Sequence, residues 1–389
     1  MAGCGRDFRS ACYIGRLDHG LQLVSRSQLS LMESGALARL PWLVHGFSLR
    51  YARCGPPDGS RARRGREFNL GFTPHAERRE VERNRARFLG ALDARALPAS
   101  LHQIHSAMVW EVRRGRDPAQ HDPGADRAVL SPFDYRPAGW QLPEPGNPET
   151  TRASAGCDLS VPAPAGSLEG RYAGDALVTS EPGVILSIRT ADCLPVLLAD
   201  RRRRVIAAIH AGWRGALARV IEKTVGELRR LSGSRPEDLV AVLGPAIGRC
   251  CYEVGEEVID AFSGQFVTSD AFFHKPAPKS AQTSSLGVEA QRSDLRYILL
   301  FNTQAPPGHR RERRSLHLDL TAVARAQLRA AGLKPSEVHA SEFCAVCRPD
   351  LFLSHRRDGG RAGRMMAAIG LRSQPQQPVG NLKFEIPNG

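Results

Sequence analysis

A chain of 389 residues, 42% of them hydrophobic, is long enough to bury a sizeable core. Its formal charge of +14 sits largely in arginine-rich stretches at 61–66, 201–204 and 310–314; each falls in an expected loop or turn without a recognisable nucleic-acid module around it, which favours a solvated basic surface over a specific nucleic-acid partner. No apolar run approaches the roughly 18 residues that span a bilayer and the opening residues lack the apolar centre of a secretory signal, so the expectation is a cytoplasmic protein without a membrane anchor.

Residues 1–36 mix Arg, Asp, Gly and Ser with short apolar pieces and read as an N-terminal extension. A strand at 41–48 follows, then a Gly/Pro/Arg-rich loop, and Thr73 and Pro74 offer a cap and first position for a helix whose apolar face is Val81, Phe88, Leu89 and Leu92. Residues 102–112 look like a strand entered from a loop. The stretch 113–172 has many prolines and no period, which marks an irregular insertion.

From Tyr172 the pattern becomes dense, with strands expected at 176–179, 184–190, 194–199 and 205–210 and a helix over 215–231 with Leu217, Val220, Ile221, Val225 and Leu228 on one face. A strand at 238–243 leads into the turn Gly244-Pro-Ala-Ile-Gly248 and a short helix. Residues 263–314 form a second insertion with a stray strand at 297–301. A helix at 318–331 and strands near 337–343, 351–355 and 365–371 close a domain of 37–372, leaving 373–389 as a tail. Strands and helices mix without the strict alternation of a doubly wound sheet, so the class is α+β in a single domain with two insertions.

The chemistry concentrates in Thr190-Ala-Asp-Cys-Leu-Pro195 and His210-Ala-Gly-Trp-Arg-Gly215. Cys193 starts one strand and His210 ends its hairpin neighbour, so antiparallel pairing brings thiolate and imidazole to one end of a sheet. Gly212 and Gly215 let the backbone turn into a helix beside Arg214, which suits an anion. Catalytic zinc commonly has three protein ligands and an open position. Spacing leaves the third ligand open between His102 and His105, with His45 and His75 further candidates.

Asn69-Leu-Gly71, Gln103-Ile-His105, Gly174-Asp-Ala-Leu-Val-Thr179, the two strings above, Leu243-Gly-Pro-Ala-Ile-Gly248, Cys251-Tyr-Glu-Val254 and Ser354-His-Arg-Arg-Asp-Gly359 occur in the order seen in the laccase-domain (YfiH-like) family. The chain resembles that family from about Leu43 to Leu371, outside the two insertions. The resemblance implies layered mixed sheets flanked by helices and a metal, zinc or alternatively copper, held by His105, Cys193 and His210. It also implies phosphorolysis of purine nucleosides (adenosine, inosine, guanosine and methylthioadenosine) together with adenosine deamination. Position by position it places Asn69, Arg214 and Arg356 at the rim of the same pocket, as groups for substrate or phosphate. Ser106 stands where the family has Gly.

In that reading the metal activates a water or holds a substrate oxygen, Asp192 carries a proton, and Arg214 and Arg356 orient phosphate. Two rival activities exist. A copper oxidase of phenols would share the two-His, one-Cys set, but the twelve histidines contain no His-x-His pair for a multicopper centre. A metal-free amide hydrolase would use Cys193 as nucleophile and His210 as base, with Asp192 or another acid orienting it. Nine cysteines, an odd number, argue for reduced thiols. Cys344 and Cys347 form a lone C-x-x-C, either redox-active or half of a structural zinc site completed by Cys250 and Cys251; unconnected thiols are preferred, because adjacent cysteines rarely ligate one metal together.

Overall fold

The computed structural model describes residues 20–53, 66–114, 172–275, 316–372 and 382–385. The first half contributes β1 (Leu21–Arg26), β2 (Leu29–Ser34), the helical turn α1 (Gly35–Ala38), β3 (Leu43–Ser48), α2 (Arg78–Leu92), β4 (Leu97–Ser100) and β5 (Val109–Arg114). Next come β6 (Ala176–Thr179), β7 (Val184–Thr190), β8 (Leu194–Asp200), β9 (Ile206–Ala211), α3 (Trp213–Leu217), α4 (Val220–Ser232) and β10 (Leu239–Leu243). They are followed by β11 (Glu253–Val254), α5 (Glu256–Gln265), β12 (Phe273–His274), β13 (Leu316–Leu318), a helix at Leu320–Ala330, β14 (Val338–Ala340), a helical turn at His355–Asp358, β15 (Met365–Leu371) and β16 (Leu382–Glu385).

Two large sheets, ordered β1-β2-β3-β15-β7-β4 and β14-β10-β8-β9-β6-β5-β16, carry the fold, with a small third sheet, β11-β13-β12. Successive residues of a strand face opposite sides, and β9 shows the consequence. Ile206 and Ala208 join Phe47, Leu177, Leu186, Leu197 and Ile369 in the core between the sheets. Ala207 and Ile209 instead pack with Val220, Ile221 and Leu228 of α4 and Val323 and Leu328 of the helix beyond it. The outer face of the six-stranded sheet is closed by Phe88, Leu89 and Leu92 of α2 against Val44, Ile185 and Met366. The result is four layers, helix, sheet, sheet and helices, in an α+β domain, and strands covered on both faces explain the continuous apolar runs in the sequence.

Several boundaries differ from the sequence reading. The segment read as an extension contains the β1–β2 hairpin, an edge of the six-stranded sheet that buries Leu21, Leu29, Leu31 and Met32. Its two-residue turn, Ser27 and Gln28 at φ 46° and 66°, lacks the Asn-Gly signature such turns usually carry. Thr73 and Pro74 lie in a turn ahead of α2, with the Ala76 N–H donating to the Thr73 carbonyl. The helix expected over 215–231 is two helices, because Arg219 adopts φ 61° between them. A strand expected at 351–355 gives way to a capped turn in which Ser354 Oγ accepts from Arg357 N at 3.2 Å. At the start of the second insertion α5 runs on to Gln265, and Phe262, Phe266 and Phe272 pack together. Within the tail, β16 pairs antiparallel with β5. The rest of both insertions, including the strand expected at 297–301, lies outside the described residues.

Candidate active site

The hairpin of β8 and β9 sets Pro195 opposite His210 and Leu194 opposite Ala211, so Cys193, one residue before β8, lies at the same sheet end as His210. His105 comes from the loop before β5. One ligand atom each of His105, Cys193 and His210 lies within 4.8 Å of the others, with Cys193 Sγ 3.7 Å from His105 Nε2. The two imidazole rings meet edge-on, centroids 5.0 Å apart. Gly212 is required here: a Cβ would come within 2.8 Å of His105 Cδ2 and 3.0 Å of Cys193 Sγ.

Asp175 organises the cluster. It is fully buried just before β6, and its Oδ1 lies 2.8 Å from His210 Nδ1. The same carboxylate accepts the N–H groups of Ile104, His105 and Ser106 at 3.3, 3.1 and 2.5 Å and the Ser106 hydroxyl at 2.7 Å. That cradle holds His105 at φ 59°, a left-handed conformation uncommon for a residue with a side chain. Burial alone would raise the Asp175 carboxyl, but the His210 and Ser106 contacts hold it below the ordinary range. Burial likewise opposes ionisation of Cys193 and His210, yet their mutual attraction brings the thiol down to about 6 and the imidazole up to about 10. The attraction between the two favours the thiolate–imidazolium pair over the neutral one. His102 and His45 stand apart from the cluster. His102 is half-buried and bridges to Ala173; His45 is buried in β3, its Nε2 accepting the Ser34 N–H at 2.8 Å. His75 lies within the Thr73–Ala76 turn, outside the cluster.

Around the cluster, Asp192 sits at φ 93° with Oδ2 accepting the Arg356 N–H at 2.6 Å. Its Oδ1 is buried without a hydrogen-bond partner, and burial raises its carboxyl above the ordinary range. Arg356 is anchored further by Nη1 donating to the Glu253 carbonyl at 2.9 Å, with its guanidinium 5.4 Å from the Tyr252 ring centre. Arg214 is exposed and stacks on Trp213 at 4.3 Å. α3 is too short for the helix-terminus anion site the sequence suggested, so any anion would rest on side chains. Asn69 Oδ1 accepts the N–H groups of Gly71 and Arg364 at 2.9 and 2.8 Å, fastening the 69–71 turn to the start of β15.

Two residues went unassigned in the sequence reading. Asp175 lies within Gly174-Asp-Ala-Leu-Val-Thr179, where an acid directly preceding a buried strand is the available signal. Tyr252, in Cys251-Tyr-Glu-Val254, feels the charges of Cys193, Arg356, Asp192 and Arg214, and burial foremost pushes its hydroxyl upward, keeping it a donor. The acid that orients His210 is Asp175 and not Asp192, whose bound oxygen faces the Arg356 backbone.

A second cluster lies in loops beside this site. Cys250, Cys251, Cys344 and Cys347 each place a sulfur within 4.8 Å of the others. Cys347 Sγ is 3.6 Å from Cys250 Sγ and 3.4 Å from Cys251 Sγ, and Gly248 N donates to Cys344 Sγ at 3.2 Å. The four thiols expected to be unconnected are therefore together. Ala246 and Cys344 form a parallel bridge that the sequence, with ninety-odd residues between the two loops, does not announce.

Comparison with known proteins agrees with this architecture. Residues 159–372 match the multi-copper polyphenol oxidoreductase laccase family, more than half of the chain, and the protein belongs to that family. It is 34% identical over 195 residues to a purine nucleoside phosphorylase of Bacteroides thetaiotaomicron, covering 50% of this chain and 60% of that one. A purine nucleoside phosphorylase of Deinococcus radiodurans is 39% identical over 202 residues, 52% of this chain and 63% of its own. Adenosine deaminase RL5, from an unknown prokaryotic organism, is 32% identical over 196 residues, covering 61% of its length. These matches span less than two thirds of each relative. Among solved structures, YfiH of Bacillus licheniformis superposes with a TM-score of 0.57 at 24% identity, over 89% of this chain and 98% of that one. YlmD of Geobacillus stearothermophilus gives 0.56 at 24%, over 90% and 99%. Both share the fold. Among the described residues no helix is long and apolar enough to cross a membrane.

Proposed function

We propose that the protein is a zinc-dependent purine nucleoside phosphorylase that also deaminates adenosine. The observation that carries the reading is the convergence of His105, Cys193 and His210 with Asp175 behind His210. Two imidazoles and a thiolate on one side of a space, with a carboxylate fixing one ring through its second nitrogen, is a donor set suited to a catalytic zinc with an open position. The names carried by the relatives support a purine nucleoside with phosphate, and adenosine for the deamination; within that class the substrates we propose are adenosine, inosine, guanosine and methylthioadenosine.

A bound zinc would supply a Lewis acid able to activate water or a substrate oxygen. The protein's own groups do the remainder. Asp175 holds the His210 ring with Nε2 turned to the metal position. Arg214, Arg356 and, at a further remove, Asn69 surround the place for substrate and phosphate. In deamination Asp192, its carboxyl raised by burial and one oxygen unpartnered, is suited to carry a proton to the departing amine. In phosphorolysis the two arginines orient phosphate toward the anomeric carbon, and the Tyr252 hydroxyl offers a hydrogen bond beside them.

A second reading has one observation in its favour. Cys193, His210 and Asp175 also form the nucleophile, base and orienting acid of a thiol hydrolase, with the thiol already lowered. Such an enzyme has no use for His105 at 3.7 Å from the sulfur. The copper oxidase lacks the paired histidines of a multicopper centre. The test is phosphorolysis of inosine and deamination of adenosine by the full chain before and after chelation, and by Cys193→Ala. Loss of both activities with metal supports the nucleoside enzyme; amide hydrolysis that survives chelation supports the thiol hydrolase.

A further inference from the structure

We propose that Cys250, Cys251, Cys344 and Cys347 bind a second, structural zinc ion, separate from the His105 site, which locks the 244–254 loop onto the 344–347 loop. Zinc–sulfur bonds of about 2.3 Å in a tetrahedron put neighbouring sulfurs about 3.8 Å apart. The two separations from Cys347, 3.6 and 3.4 Å, approach that edge, and all four sulfurs fall within 4.8 Å of one another. A single ion fits such spacing; a cluster of several irons would spread the sulfurs.

A disulfide pair is the alternative, and the geometry disfavours it. Bonded sulfurs sit about 2.05 Å apart, and Cys347 is shared nearly evenly between Cys250 and Cys251, so no pair is singled out. The adjacency of Cys250 and Cys251 is resolved by the turn after Gly248, where the N–H groups of Cys251 and Tyr252 both bond the Gly248 carbonyl and both sulfurs come near Cys347. Gly248 gives Cys344 Sγ an N–H donor, and a Cβ there would press on Cys344 Cβ at 3.1 Å and Cys250 Sγ at 3.3 Å. An amide donor aimed at sulfur suits a thiolate, and four sulfurs gathered this closely form a donor set for one cation. Soft sulfur ligands in a closed set select zinc over the harder metals.

The site has a clear mechanical role. The first loop continues into Tyr252 and the second into Ser354 and Arg356, which hold Asp192 and the rim of the active site. Zinc here ties those two walls together.

The experiment is zinc quantification and zinc X-ray absorption on the full chain carrying His105→Ala and Cys193→Ala, which removes the other ligand set. The expected result is one zinc per chain in a shell of four sulfurs at about 2.3 Å. A metal-free protein, a shell containing nitrogen or oxygen, or iron in place of zinc overturns the proposal. A Cys347→Ser variant of the otherwise natural chain is expected to lose one zinc while keeping the one at His105, and unchanged zinc content there also overturns it. Should Cys347→Ser fail to fold, the doubly substituted chain decides the matter alone.

Discussion

Asp175 Oδ1 lies 2.8 Å from His210 Nδ1, and the same carboxylate gathers three consecutive backbone N–H groups of the loop that presents His105. One buried acid thus sets the orientation of one imidazole and the backbone turn of the other. Asp175→Asn removes the charge and turns an amide N–H toward groups that are themselves donors. We expect zinc affinity at the His105 site to fall 10- to 100-fold, the range typical of a lost carboxylate partner to a ligand histidine. Competition with a chromophoric chelator measures it, and unchanged affinity would show that Asp175 only fills space.

Gly212 lies against two of the three proposed ligands. Gly212→Ala should push His105 and Cys193 apart without removing either, with turnover lowered on the order of 100-fold, as expected when reacting groups are displaced by about an ångström. Circular dichroism should remain that of the natural protein.

Ser106 adds a hydroxyl donor to Asp175 at 2.7 Å. Ser106→Gly should cost about 1–2 kcal/mol in urea unfolding, from one hydrogen bond to a charged acceptor and a freer loop, while zinc stays bound. No change in the unfolding midpoint would mean that the hydroxyl is idle.

His45 is held near a pKa of 3, against an ordinary 6.5, by burial and then by the Arg26 guanidinium. Between those values the unfolded chain binds a proton that the folded chain refuses, so stability rises with pH there. His45 stabilisation is complete above about pH 6.5 and is lost as pH falls toward 3, at up to about 1.4 kcal/mol per unit. His45→Gln keeps an acceptor for the Ser34 N–H and removes the titration. Its stability should be flatter than the natural protein's between pH 5 and 6.5, where few carboxylates titrate; parallel curves would contradict this.

The strands and the Cys193–His210 pairing were legible because buried strands write continuous apolar runs and a hairpin fixes which residues share an end. His105 came from the resemblance, since spacing left His102 equally open. Asp175 stayed hidden because three of its partners are backbone N–H groups, which leave no trace in side-chain type, and its side-chain partners His210 and Ser106 are distant in the chain. The break at Arg219 was invisible because a left-handed arginine has no sequence signature, and Leu217 of α3 before it and Val220 and Ile221 of α4 after it keep one apolar period. The four-cysteine cluster depends on two loops brought together by the Ala246–Cys344 bridge, a long-range pairing that neither segment encodes by itself.

The measurement that bears most directly on the central claim is zinc content and inosine phosphorolysis followed together in the natural chain and in Cys193→Ala. The variant is expected to lose one zinc and its turnover at once, and zinc added back to chelated natural protein to restore activity. Full phosphorolysis by protein stripped of that zinc would contradict it.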